Sequence, residues 1–140
     1  MSKTFDEIAI GDTAAIERTI TARDKDLYAE LTNDYNPVHM DEDYARTTIF
    51  GGRIAHGTIT LGLIAPVIGM KLPGRGCILL SITSTFLQPV KIGDTITASA
   101  TVVEKNENRR TVKMAIRFSN QNKQDVAAGD AVVKPPKLAM

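Results

Sequence analysis

In the second half of the chain apolar and polar side chains alternate with period two. Ile78, Leu80, Ile82 and Phe86 share one face of a first run. Ile96, Ala98, Ala100 and Val102 share one face of the next, opposed by Thr95, Thr97, Ser99 and Thr101. Val112, Met114, Ile116 and Phe118 follow, opposed by Thr111, Lys113, Arg117 and Ser119. Successive residues of a strand point to opposite faces, so this alternation predicts half-buried strands. Lys105-Asn106-Glu107-Asn108 reads as the hairpin turn between the last two. A final strand runs from about Asp125 to Lys134, with Gly129 a candidate bulge.

The first half follows another pattern. Gly11-Asp12 and Gly93-Asp94 each precede a Thr/Ala/Ile-rich run, the mark of a turn feeding a strand. Thr21-Ala22-Arg23-Asp24 resembles a capping box and predicts a helix to about Leu31, with Leu27 and Leu31 on one face. A polar loop comes next, then a short helix from about Asp41 to Arg46. Its acidic triplet Asp41-Glu42-Asp43 suits the positive end. Gly57 to Met70 is apolar all round, which predicts a helix buried on every side. Pro66 would meet the carbonyl of Gly62, so a bend belongs there, and Leu72-Pro73-Gly74 ends the segment. One N-terminal strand, one buried helix and four consecutive strands make residues 1–140 a single α+β domain. Its antiparallel sheet of about five strands wraps around a central apolar helix.

Composition narrows the function classes. The single cysteine, Cys77, excludes an internal disulfide and any metal-spaced cysteine pair. No apolar run reaches the roughly 18 residues of a membrane span, and the first residues lack a signal-like segment, so a cytoplasmic protein without membrane attachment is expected. Residues 1–70 carry six Lys/Arg against eleven Asp/Glu, and residues 71–140 carry eleven against five. The basic half can receive an anionic ligand, or the halves can neutralise each other in the fold or across a dimer. The basic residues form no stripe and aromatics are 5% of the chain, which argues against a nucleic-acid partner.

The candidate chemistry is concentrated in one region. Both histidines, His39 and His56, lie within eighteen residues of each other, each in a polar or Gly-rich turn. Asp34 and His39 are five residues apart across Pro37, a spacing that lets a loop point a carboxylate and an imidazole at one small volume. Asn36, before that proline, is a loop-shaping residue.

Tyr28-x-x-Leu31-x-x-Asp34-x-Asn36-Pro37-x-His39-x-Asp41, followed by Gly52-Arg53-Ile54-Ala55-His56-Gly57, closely resembles the MaoC-like dehydratase family, which includes the (R)-specific enoyl-CoA hydratases. The resemblance extends to Leu72-Pro73-Gly74, Phe86-Leu87-Gln88-Pro89-Val90 and Gly93-Asp94. It implies a hot-dog fold, in agreement with the periodicity, and Asp34 and His39 as the catalytic pair. The implied reaction is reversible hydration of a 2-enoyl-CoA, with polyhydroxyalkanoate precursor supply as one use. Coenzyme A enters only as part of the acyl-CoA substrate, and no metal or other cofactor is expected. The backbone N–H of Gly57, at a helix N-terminus, is the expected oxyanion donor. Asn36, His56, Val67 and Ile68 are the expected substrate-binding residues, with His56 structural or at the thiol end of the pocket. Val67 and Ile68, at its far end, favour short acyl chains. Gly62 and Ala65 offer no hydroxyl near the pair, so the water must be positioned otherwise. Arg109, Arg110, Lys113 and Arg117 are candidates for the coenzyme A phosphates by charge alone.

Two other readings remain open at this stage, a hot-dog acyl-CoA thioesterase and a non-catalytic acyl-CoA-binding module. An open sheet of five strands also leaves edges to cover, so a homodimer or a dimer of dimers is expected.

Overall fold

The alternating strands fold into one antiparallel sheet whose inner face sets large residues between small ones. The computed structural model describes residues 2–140. Its strands are β1 (Thr13–Thr19), β2 (Ile78–Phe86), β3 (Thr95–Asn106), β4 (Thr111–Ser119) and β5 (Asp125–Lys134), in the spatial order β1-β3-β4-β5-β2. Phe118 of β4 stands between Ala98 of β3 and Ala127 of β5, Ile116 between Ala100 and Gly129, and Met114 between Val102 and Ala131. Phe118, Ile116 and Met114 are no more than 1% exposed. Small neighbours on either side of a bulky strand leave room above the sheet, and close packing requires that it be filled.

The central helical segment fills it. It consists of α4 (Gly57–Gly62), α5 (Ile64–Pro66) and a π turn, Val67–Lys71; the other helices are α1 (Ala22–Thr32), α2 (Pro37–Met40) and α3 (Glu42–Arg46). Ile64, Val67 and Ile68 are buried in the same cluster as the inner face of the sheet, which is the expected hot-dog arrangement. The expected bend is present. The helix is interrupted at Leu63, because Pro66 has no N–H to offer the carbonyl of Gly62. The expected burial on every side is not found, since Thr58, Gly62, Ala65 and Pro66 face outward.

Helix α1 carries the capping box as read: Asp24 N–H donates to Thr21 Oγ1 at 3.1 Å, and Thr21 N–H donates to Asp24 Oδ2 at 3.0 Å. Its buried face differs from the one the leucines suggest. Leu27 and Leu31 are 48% and 81% exposed, whereas Lys25 and Ala29 are 2% and 0% exposed. Alanine lets the helix approach closely, and the lysine stem supplies apolar packing while its ammonium pairs with Asp26 at 3.0 Å.

Two strand details also differ. Gly129 is no bulge; a Cβ there would fall 1.8 Å from the Thr83 carbonyl oxygen, so glycine is required for β5 to approach β2. The β5 irregularity lies at Val126, where Phe118 pairs with Ala127 and Ser119 with Asp125. Lys105 and Asn106 still belong to β3, and the turn follows them, with Arg110 in the left-handed region at φ 56°. Among the described residues, no helix is long and apolar enough to cross a membrane.

The buried ammonium of Lys25 costs desolvation and its partner Asp26 is largely exposed, so an apolar residue of similar shape should serve as well. Lys25→Met should leave the denaturation midpoint unchanged or raise it. Lys25→Ala, which opens a cavity, should lower stability by about 2 kcal/mol in denaturant melts.

Candidate active site

The Asn-Pro pair builds a helix turn that the sequence reading left within a loop. Asn36 caps α2 by accepting from Val38 N–H at 3.3 Å, and Pro37 at the first helical position supplies the required φ without an N–H to satisfy. His39, two residues on, thereby turns inward and is 8% exposed. Asp34 is held by an Asx turn, its Oδ1 accepting from Asn36 N–H at 3.1 Å. The preceding Asn33 ends α1 at φ 64°, a conformation asparagine tolerates.

Each histidine is oriented by a backbone carbonyl. A carbonyl only accepts, so the imidazole nitrogen facing it carries the proton. His39 Nδ1–H donates to the Ile54 carbonyl at 2.8 Å, which leaves the lone pair on Nε2. Ile54 is itself fixed, its N–H donating to Val38 at 3.2 Å while Ala55 N–H donates to Val90 at 2.7 Å. His56 Nε2–H donates to the Asp34 carbonyl at 2.9 Å, so the residue before α4 also holds the loop that carries Asp34. The two rings stack with centroids 4.0 Å apart, and Tyr28 meets His56 edge-on at 5.1 Å.

A carboxylate oxygen of Asp34 and one ring nitrogen from each histidine lie within 4.8 Å of one another. At that separation a single water can bridge the carboxylate and His39. The trio is also the one group among the described residues with metal-ligand spacing. His56 Nε2 gives its proton to the Asp34 carbonyl. Burial, the largest cause, pushes the His39 pKa below its ordinary value. His56 and Lys25 push the same way, against the bond to Ile54 and the charge of Asp34.

Beside the pair lies a largely apolar cleft of about 340 Å³, lined by His39, Gly57, Thr60, Phe86, Leu87 and Val126 among others. The bulge in β5 accounts for Val126, which is buried and reaches the cleft out of phase with its strand neighbours. Helix α4 starts without a side-chain cap, with Gly57 at its first position in the wall of the cleft. A Cβ on Gly57 would lie 3.1 Å from the Phe86 ring, so the lack of a side chain lets that ring lie close over the helix start.

His39 and Gly57 thus line one cleft, and the Asp34 carboxylate lies within 4.8 Å of a His39 ring nitrogen without lining it, while Asn36 caps α2 and does not line it either. His56 is placed behind His39 and does not line the cleft. Val67 and Ile68 are 0% and 3% exposed in the core against the sheet, and do not line it either. Arg110 and Arg117 are paired with Asp6 and Asp125 at 2.8 Å, while Arg109 and Lys113 share a polar depression with Asp130 and Glu104. The sequence reading gave Thr60 no role, and named Phe86 on a strand face and in the Phe86–Val90 motif without placing it at the site. Thr60 was within reach, being three residues after Gly57 and therefore on the same helical face. Phe86 was not, because strand periodicity alone does not say which element crosses its tip.

Comparison with known proteins identifies the family. The model of the MaoC-like domain matches residues 9–124, and the chain belongs to the MaoC-like family. It is 40% identical over 133 residues to the 3-hydroxybutyryl-CoA dehydratase of Methylorubrum extorquens, covering 95% of this chain and 84% of that protein. It is 40% identical over 132 residues to the (R)-specific enoyl-CoA hydratase of Rhodospirillum rubrum, covering 94% and 91%. The unliganded R-hydratase PhaJ1 from Pseudomonas aeruginosa superposes with a TM-score of 0.92 at 39% identity, covering 98% of this chain and 88% of that one.

The depressed His39 pKa sets a pH dependence. The neutral ring persists below the ordinary value of 6.5, so kcat/KM for hydration should hold through that pH and fall only below it. An acid limb centred above 6.5 would contradict the assignment. The unfolded chain takes up this proton first, so as pH falls from 6.5 to the folded value, stability should also fall.

Proposed function

We propose that this chain is an (R)-specific enoyl-CoA hydratase, adding water reversibly to a trans-2-enoyl-CoA to give the (R)-3-hydroxyacyl-CoA. The observation that carries the reading is the Asp34 carboxylate within 4.8 Å of an imidazole nitrogen of His39, beside an apolar cleft. The names of its relatives support it.

The chemistry follows from the geometry. Asp34 takes the proton released as the water oxygen bonds to the β-carbon, while His39 Nε2 holds that water in line. The proton then returns to the α-carbon on the same face, so water alone is consumed, and each such transfer contributes about 10²–10⁴-fold. Charge gathers meanwhile on the thioester oxygen as an enolate, and the Gly57 N–H is the proposed donor to it, worth on the order of 3 kcal/mol. Asn36 shapes the loop and His56 anchors it. Coenzyme A is part of the substrate, and the reaction as written needs no metal or redox cofactor.

A homodimer, or a dimer of dimers, is the proposed assembly. What supports it is β2, an edge strand that leaves Ile78, Leu79, Leu80, Ile82 and Phe86 between 37% and 56% exposed. A long apolar edge invites pairing with a second copy, and Phe86 would carry that interface to the cleft.

Mixing the protein with crotonyl-CoA should remove the conjugated enoyl absorbance and yield the (R)-hydroxy product on chiral analysis. Release of free thiol instead would favour a thioesterase, and no turnover a binding module. Asp34→Asn keeps shape but loses the proton-accepting charge, so the chemical step should slow by at least about 10²-fold with little change in melting temperature. His39→Ala should cost a similar amount and the double variant little more, because two groups acting on one water are not additive. Near-normal turnover by well-folded Asp34→Asn protein would end the assignment.

In sedimentation at micromolar concentration the wild type should run as a dimer or larger. Ile78→Lys/Ile82→Lys, which puts charge on the β2 edge, should shift it toward monomer. A fully active monomeric wild type would refute the assembly.

A further inference from the structure

Thr60 stands apart from the other threonines in the helices and in the turns that follow them. Thr32, Thr47 and Thr48 each donate to a carbonyl three or four residues back, at 2.6–2.7 Å, the usual way a hydroxyl is satisfied at such positions. Thr58 accepts from the Tyr28 hydroxyl at 2.5 Å. Thr60 is 2% exposed, and its Oγ1 has no partner at all. Among the described residues it shares that condition only with His56 Nδ1. A buried hydroxyl left unpaired destabilises the fold, so such an atom requires an explanation. Its position supplies one. Thr60 lines the cleft together with His39 and Gly57, and it lies one helical turn beyond Gly57 on the same face of α4.

We propose that Thr60 contacts the substrate: its hydroxyl donates a hydrogen bond to the thioester oxygen as that oxygen takes on enolate charge, alongside the Gly57 N–H. The hydroxyl is buried without a competing protein partner in the wall of a largely apolar cleft, where a bond to developing charge is strong. This rests on the hydratase reading. It adds to it a second donor, from a side chain, on the helix whose N-terminus supplies the first.

The test is Thr60→Val, which keeps the shape and removes the hydroxyl, beside Thr60→Ser, which keeps the hydroxyl. In the crotonyl-CoA assay Thr60→Val should lose on the order of 10²-fold in kcat with KM little changed, as for removal of one oxyanion donor. Thr60→Ser should recover most of that loss. The melting temperature of Thr60→Val should stay level or rise, because an unpaired buried hydroxyl has been replaced by a methyl of the same size. Unchanged kcat, or a change confined to KM, would overturn the proposal. So would a fall in melting temperature with activity lost only in step with the folded fraction, the signature of a hydroxyl that serves His56 Nδ1 through a buried water. Wild-type protein that does not hydrate crotonyl-CoA at all would fail the hydratase reading itself, a result distinct from these.

Discussion

Two imidazoles stacked 4.0 Å apart, each with one nitrogen bound to a backbone carbonyl, set the terms for everything around them. A buried histidine must have its N–H satisfied, and the partner that satisfies it also decides which nitrogen is left to act. For His39 that partner is Ile54, so the lone pair stays on Nε2. For His56 it is the carbonyl of Asp34 itself. One hydrogen bond therefore ties the start of α4, where Gly57 lies, to the loop that carries the carboxylate. Groups supplied by two separate segments are thereby held in one geometry.

The sheet makes that arrangement possible by leaving space. Bulky residues on β4 flanked by Ala98, Ala100, Ala127, Gly129 and Ala131 form a trough into which Ile64, Val67 and Ile68 pack. The helix is then fixed from below by close packing, and its start is delivered to the end of the sheet where β2 runs into Leu87 and where the β5 bulge presents Val126. The cleft thus borders a packed core on one side and an exposed edge strand on the other. Fixed placement of Asp34 and His39 and an open cleft beside them follow from the same architecture.

The outward side of the molecule has its own logic. Leu27 and Leu31 on α1 and Ile78, Leu79, Leu80, Ile82 and Phe86 on β2 are exposed. Burial inside the domain is instead given to Lys25 and Ala29 on α1. A lysine at such a site brings a positive charge near His39, where it adds to the effect of burial in keeping the ring neutral.

Much of this was legible in the linear chain because its signals are local. Period-two alternation defines the strands, the capping box defines the start of α1, and Asp34, Asn36, Pro37 and His39 specify by their own turn chemistry how a carboxylate and an imidazole meet. The sequence could also place Gly57 at a helix start, since both the glycine and the apolar run after it are visible. What it could not decide is which face of each helix is buried. α1 offers Leu27 and Leu31 on one side and Lys25 and Ala29 on another, and only the close approach of neighbouring elements selects the smaller pair. The same holds for Val67 and Ile68, which the core claims, and for Thr60, whose hydroxyl is left unpaired only because the surrounding packing buries it against the cleft. Local chemistry is written in neighbouring residues; burial is a property of distant segments brought together, and the tertiary structure alone determines it.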